Sequence, residues 1–295
     1  MNRAKSLRLI VAAIAVGMFL ISGLSAFAQT EINLIYHKER DSSGCGGVPN
    51  YSALKAALDT AVQAETSGLN LQMWATIVNR DGIVCAVAFS GKDRQAQWPG
   101  SRVISAQKAN TANSFSLDSS SNNGNGSGTG TGPLSSPGGL ALSTANLYSA
   151  VQGGGSLFGL QLSNPVDVDV AYDGQSSDYG TPVDPMIGTK VGGVNVFGGG
   201  LALYAPGKRI IGAVGLSGDT SCADHFIAWR VRNLLNLDHL ADTFAVSGDV
   251  ARPDNIVFDL QPNANGGPTS ASAAGFGHPK CLFTGDPSTL PAVQQ

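Results

Sequence analysis

Charge is what this sequence has least of. Asp, Glu, Lys and Arg make up 13% of its 295 residues, against roughly 25% in an ordinary soluble domain. That shortage excludes a coiled coil, which is built on Glu, Lys and Arg. Basic residues are not in excess either, 18 against 21 acidic, so the electrostatic footprint of a nucleic-acid binder is missing. No two of the four cysteines stand at the C-x₂₋₄-C spacing of a zinc site. The 38 glycines follow no G-X-Y period, which excludes collagen. What is present is 42% hydrophobic residues, enough apolar mass to bury a core and to exclude a disordered chain. Low charge with abundant glycine predicts a compact, loop-rich, exported domain.

The N-terminus reads as a secretory signal peptide over residues 1–28. Arg3, Lys5 and Arg8 form its positive region, 9–24 is apolar, and Ala26-Phe27-Ala28 fits the small-x-small cleavage rule. The alternative is an uncleaved anchor, but a spanning helix needs about 20 apolar residues. Cleavage after Ala28 removes three cations and no acid, leaving the mature chain more acidic than the −3 of the whole sequence. Such a chain is expected in the periplasm or outside the cell, with no stable membrane insertion and no nucleic-acid partner. Cys45, Cys85, Cys222 and Cys281 all lie in the mature part. An even count in an exported protein predicts disulfides, in any of three pairings, with free buried thiols as the alternative.

After a lead-in at 29–49, apolar residues at Leu54, Leu58 and Val62 predict an amphipathic helix over 51–65, capped by Asn50 or Ser52. A hairpin follows, 71–78 and 83–90, turning at Asn79-Arg80-Asp81-Gly82. A second helix is expected over 100–115. The Ser, Gly, Asn and Thr run at 119–139 reads as a flexible insertion. A short helix at 144–152 precedes an irregular stretch to 193. A second hairpin spans 201–204 and 209–216, a third helix 222–235, and a turn-rich extension 238–295. Strands that come in hairpins give an antiparallel sheet flanked by helices, an α+β architecture of one domain with insertions, in the order α-β-β-α-β-β-α with a short extra helix before the second hairpin.

Chemistry concentrates where the last strand meets the last helix. Ser217, Gly218, Asp219, Asp224 and His225 crowd a helix start whose free N–H groups suit a carboxylate or phosphate, and Asp224 with His225 could hold a metal or move a proton. The competing reading is structural: Ser221-x-x-Asp224 resembles a capping box. Gly215-Leu216-Ser217-Gly218-Asp219 lacks the last glycine of a nucleophile elbow, so Ser217 is not read as a hydrolase nucleophile. Gly192 to Gly200 opens no βαβ unit, which argues against a dinucleotide site. Lys108, with Thr111 beside it, could pair a ligand carboxylate or simply snorkel to solvent. His37, His239 and His278 read as hydrogen-bonding residues.

Three segments carry a family resemblance. They are the 52–65 helix with its Asn-Arg-Asp-Gly hairpin, Ala106-Gln107-Lys108-Ala109-Asn110-Thr111-Ala112, and Gly198-Gly199-Gly200-Leu201-Ala202-Leu203-Tyr204 followed by Ile211-Gly212-Ala213-Val214-Gly215-Leu216-Ser217-Gly218-Asp219. Together they resemble the GlcG/HbpS family, the domain-of-unknown-function 336 family, which is similar to the C-terminal domain of PduO proteins. The resemblance spans about residues 50–237 and implies a profilin-like fold, homo-oligomers and haem as cofactor. Lys108 would then pair a propionate and His225 would be the axial ligand, with Asp224 beside it as a further metal ligand. Thr111, Gly199, Gly200, Ser217 and Gly218 would line the pocket. This sequence departs from the family where a helix-opening Asp-Glu pair becomes Asp224-His225, and where Ala202 replaces a frequent proline. The expected function is therefore an exported haem-binding protein for haem or iron handling or sensing. The alternatives are a small-carboxylate enzyme or sensor using the 217–225 helix start, and a ligand-free structural oligomer.

Overall fold

A computed structural model describes residues 43–121, 139–261 and 272–295. The signal peptide, most of the lead-in and most of the 119–139 insertion lie outside the described residues. The elements are α1 (Tyr51–Ala64), β1 (Trp74–Asn79), β2 (Val84–Phe89), α2 (Ser101–Phe115), the single turns α3 (Leu147–Ala150) and α4 (Val168–Ala171), β3 (Gly200–Ala205), β4 (Arg209–Ser217) and α5 (Ser221–Leu234). The strands form one sheet in the order β2-β1-β4-β3, antiparallel at every junction. Two hairpins are thus joined through β1 and β4. The expected α+β class, an antiparallel sheet with helices, is what the chain adopts.

Local chemistry explains the elements. Asn50 caps α1, its side chain accepting from the Ala53 N–H at 3.0 Å and satisfying one of the unpaired donors at a helix start. In the first hairpin, the Asn79 carboxamide oxygen accepts from the Asp81 and Ile83 N–H groups at 3.0 and 2.9 Å. Gly82 there has φ +78, a conformation that costs glycine little.

Alternation along the strands divides the core in two. Ala75 and Ile77 of β1, with Leu203, Val214 and Leu216, face Leu54 and Leu58 of α1 and Phe226 and Trp229 of α5. Trp74 and Val78, with Val87 and Ala213, face Val103, Ala106, Ala109 and Ala112 of α2. Each fully buried aliphatic or aromatic side chain of this kind is worth roughly 1.5–3 kcal/mol. The alanine face of α2 lets it lie close against β4. A Cβ on Gly215 would overlap backbone atoms of Ser105 and Ala109.

The segments beyond the sheet are packed into it. Leu117 and Leu140 pair across the base of the 119–139 insertion through reciprocal N–H···O bonds of 2.7 and 2.9 Å, so the insertion leaves and returns at one point. From the C-terminal stretch, Ile256 and Leu290 enter the α1/α5 core, and the Trp229 indole N–H donates to the Pro291 carbonyl at 3.0 Å. Disulfides join Cys45 to Cys85 and Cys222 to Cys281, choosing one of the three possible pairings. The first ties the segment before α1 to β2. The second ties the start of α5 to the C-terminal stretch. No helix among the described residues is long and apolar enough to cross a membrane.

Candidate functional site

The structure brings Lys108, Gly199, Gly200, Gly218 and Asp224 together, in the interior. Lys108 projects from α2 and is completely buried. Its ammonium group donates to the Asp224 carboxylate at 2.6 Å and to the Leu216 carbonyl at 2.9 Å, and lies 4.6 Å from the centre of the Phe197 ring. Burial pulls the lysine below its ordinary pKa and raises Asp224 to about 6, each against the opposing pull of the other's charge. The other Asp224 oxygen accepts from the N–H groups of Gly218 and Asp219 at 3.1 and 2.8 Å.

The anion anticipated at this helix start is therefore the protein's own carboxylate. Two further donors of the turn are also taken. Thr220 is the actual N-cap of α5, accepting from the Ala223 N–H, and the Cys222 N–H points to the Cys281 sulfur at 3.1 Å. This corrects the capping-box reading of Ser221 and Asp224: Ser221 is the first helical residue, and its hydroxyl meets the His278 ring at 3.2 Å. Asp219 reaches back across the fold, accepting from the N–H groups of Leu69 and Leu71.

The glycines are packing sites. Gly199 has φ +120, and a Cβ there would overlap the Leu216 carbonyl and stand 3.0 Å from the Lys108 ammonium. Cβ atoms on Gly198 and Gly200 would overlap backbone of Ser221 and Lys108. Thr111 donates to the Gln107 carbonyl at 2.7 Å and accepts from the Asn195 N–H at 2.9 Å, anchoring the segment before β3. Ser217 ends β4 and is buried.

His225 faces away from Asp224, and no hydrogen bond joins the two among the contacts described. Its Nε2 lies 3.2 Å from both the Ile256 N–H and the Asn255 side-chain oxygen, while Nδ1 is buried with no partner among the described residues. Burial lowers its pKa to about 3, with Asp254 pulling the other way and Arg232 and His278 adding to the lowering. The imidazole is neutral at pH 7.

Two buried ion pairs escaped the sequence reading. Arg102 of α2 binds Asp184, donating from Nε at 2.9 Å, and also donates to the Ala171 carbonyl at 2.8 Å. Arg232 of α5 binds Asp254 at 2.6 and 2.9 Å. Each pair joins a core helix to a segment expected to be irregular. The only available signal was an arginine within an expected helix, which does not name its partner.

The interior arrangement does not fit haem. Lys108 is already neutralised, and the glycine edge is filled by backbone. A recess of about 470 Å³ opens elsewhere, beyond the end of β2. The buried Phe89 and the half-buried Tyr179 are among its lining residues, and the exposed Lys92, Asp93 and Arg94 are also part of it. Both rings are held from behind. Phe89 stacks on Trp74 at 4.3 Å between centroids, and the Arg102 guanidinium lies 3.6 Å from the Tyr179 ring centre.

Comparison with known proteins bears on what this architecture is for. The model of the family described as "Haem degrading protein HbpS-like" matches residues 50–231, from the cap of α1 into α5. Among solved structures, a Klebsiella pneumoniae protein, ORFY, of the domain-of-unknown-function 336 family is 22% identical. The match covers 66% of this chain and 89% of that one, with a TM-score of 0.38. A PduOC:haem complex is 20% identical over 62% of this chain and 89% of the other, also with a TM-score of 0.38. No curated protein matches. The family match takes in both hairpins and α2, and nearly all of α5 with Asp224 and His225, so the chain belongs to the HbpS-like family.

Proposed function

We propose that this chain is an exported haem-binding protein, and that haem sits at the surface recess beyond β2 and outside the interior glycine edge. The observation that carries the haem reading is the family match across residues 50–231. The choice of place follows from the geometry. Two of the residues lining the recess, Phe89 and Tyr179, are aromatic, the kind of side chain a planar macrocycle packs against. Lys92 and Arg94 supply cations of the kind that pair carboxylates, as haem propionates require. In the interior, by contrast, the corresponding cation is committed to Asp224. Export is supported by the two disulfides, which persist in oxidising compartments, and by the signal-like pattern of residues 1–28. Self-association, implied by the family, belongs to the same reading and is checked by sedimentation of the mature chain with and without haem.

One observation favours a second reading, in which haem reaches His225 by displacing the segment around Asn255. The Nδ1 atom of that histidine is buried without a partner among the described residues. A haem titration followed by absorbance separates the two. Binding at the recess predicts a Soret shift that survives His225→Ala and weakens in the Lys92→Glu/Arg94→Glu variant. Loss of the shift in His225→Ala alone would move the site to the interior. No shift in the unmodified mature chain would end both.

A further inference from the structure

The Cys222–Cys281 disulfide does not stand alone. One nitrogen of His278 and the two sulfurs all lie within 4.8 Å of one another. His278 is buried, and its Nδ1 is 2.7 Å from the Pro279 carbonyl. A donated Nδ1–H at that contact leaves the lone pair on Nε2, the tautomer in which histidines bind metals, with the far nitrogen held by a carbonyl. That Nε2 faces Ser221 Oγ at 3.2 Å, and the same hydroxyl lies 3.4 Å from the Cys281 sulfur.

The surroundings also suit thiolates. The Cys222 N–H, in the first turn of the fourteen-residue helix α5, points to the Cys281 sulfur at 3.1 Å. A helix N-terminus stabilises the thiolate over the thiol. The Thr284 hydroxyl lies 3.9 Å from the Cys222 sulfur. Cys281 is partly exposed, beside the exposed Leu282 and Phe283, so a small reductant can reach it. Two sulfurs and an imidazole are a ligand set for a tetrahedral soft metal, with the fourth place left to water or hydroxyl.

We propose that reduction of Cys222–Cys281 creates a metal site for Zn²⁺ formed by Cys222, Cys281 and His278. A dithiol reductant supplies two electrons and two protons. Its own sulfurs close into a disulfide, and Cys222 and Cys281 become thiols. Zn²⁺ then takes the two sulfurs as thiolates, releasing two protons to solvent, and accepts the Nε2 lone pair of His278. The oxidised protein has no such site, because its sulfurs are bonded to each other.

The test uses Co²⁺ as a spectroscopic stand-in for Zn²⁺. The mature chain is reduced with dithiothreitol, freed of reductant under anaerobic conditions, and titrated. Expected is a thiolate-to-cobalt charge-transfer band with the intense visible bands of a four-coordinate ion, absent before reduction and removed by added Zn²⁺. Cys222→Ser abolishes the charge-transfer band, while Cys45→Ser/Cys85→Ser keeps it. His278→Gln weakens Co²⁺ binding by at least the roughly tenfold to a hundredfold that losing a mere outer partner costs. The proposal is overturned by no band after reduction, by a band indifferent to Cys222→Ser, or by unchanged affinity in His278→Gln. A reduced chain that unfolds, by circular dichroism, and is not restored by Zn²⁺ overturns it equally.

Discussion

The Lys108 ammonium group lies 2.6 Å from the Asp224 carboxylate, and both side chains are shut off from water. This pair joins α2, on one face of the sheet, to the start of α5 on the other, beside Gly199 and the Leu216 carbonyl.

Removing one partner of such a pair leaves a buried charge uncompensated, which costs about 3–5 kcal/mol. Lys108→Met should therefore lower unfolding free energy by that amount in urea at pH 7. The double variant Lys108→Met/Asp224→Asn, which keeps an acceptor for Gly218 and Asp219, should recover part of the loss. A single variant within 1 kcal/mol of the parent would mean that the pair does not hold the helices together.

Acid should act through His225. Its folded pKa, about 3, lies below the ordinary 6.5 because the ring is buried between α5 and the segment around Asn255, with Asp254, Arg232 and His278 as its charged or titratable neighbours. A lowered histidine pKa means that the unfolded chain binds the extra proton first, so stability falls as pH drops below about 6.5. The linkage predicts a loss of about 2 kcal/mol between pH 7 and pH 5 from this group. His225→Gln should reduce the slope over that interval, leaving the contribution of His278, whose pKa burial also lowers, to about 4. An unchanged slope would place the ring in contact with water.

The two disulfides close loops of different length, 40 residues for Cys45–Cys85 and 59 for Cys222–Cys281. Chain entropy gives each about 4 kcal/mol. Non-reducing peptide mapping should recover these two pairings, and Cys45→Ser/Cys85→Ser should lower the melting temperature. A different pairing in the map would contradict the fold around α5.

Glycine positions separate packing from loop freedom. Gly215→Ala forces a methyl group into the backbone of α2 and should cost about 1–3 kcal/mol, the usual range for overpacking. Gly153 has no heavy atom within 4 Å of a built Cβ and no positive φ, so Gly153→Ala should leave the melting temperature unchanged. Equal effects at the two positions would remove the close approach of α2 to β4.

The hairpins and the three long helices were legible from residue spacing because their signals are local. Leu54 and Leu58 repeat at helical intervals, and Asp81-Gly82 marks its own turn. The union of Lys108 with Asp224 was only half legible. Both residues were singled out, but the sequence could not show that they face each other, because their contact spans 116 positions. Arg102 with Asp184 and Arg232 with Asp254 were invisible for the same reason. Gly199 and Gly200 were expected to line a haem pocket, and the space a Cβ would take there is filled by backbone of Leu216 and Lys108. Absence of a Cβ is the same in sequence whether a cofactor or a helix takes the space.

The most direct measurement is absorbance titration of haem into the mature chain, run in parallel on Lys92→Glu/Arg94→Glu and His225→Ala. The account predicts a saturable Soret shift in the parent, an unchanged band in His225→Ala, and weakened binding in the charge-reversed variant that grows more severe at low salt. A parent chain that leaves the spectrum of free haem unaltered would contradict it.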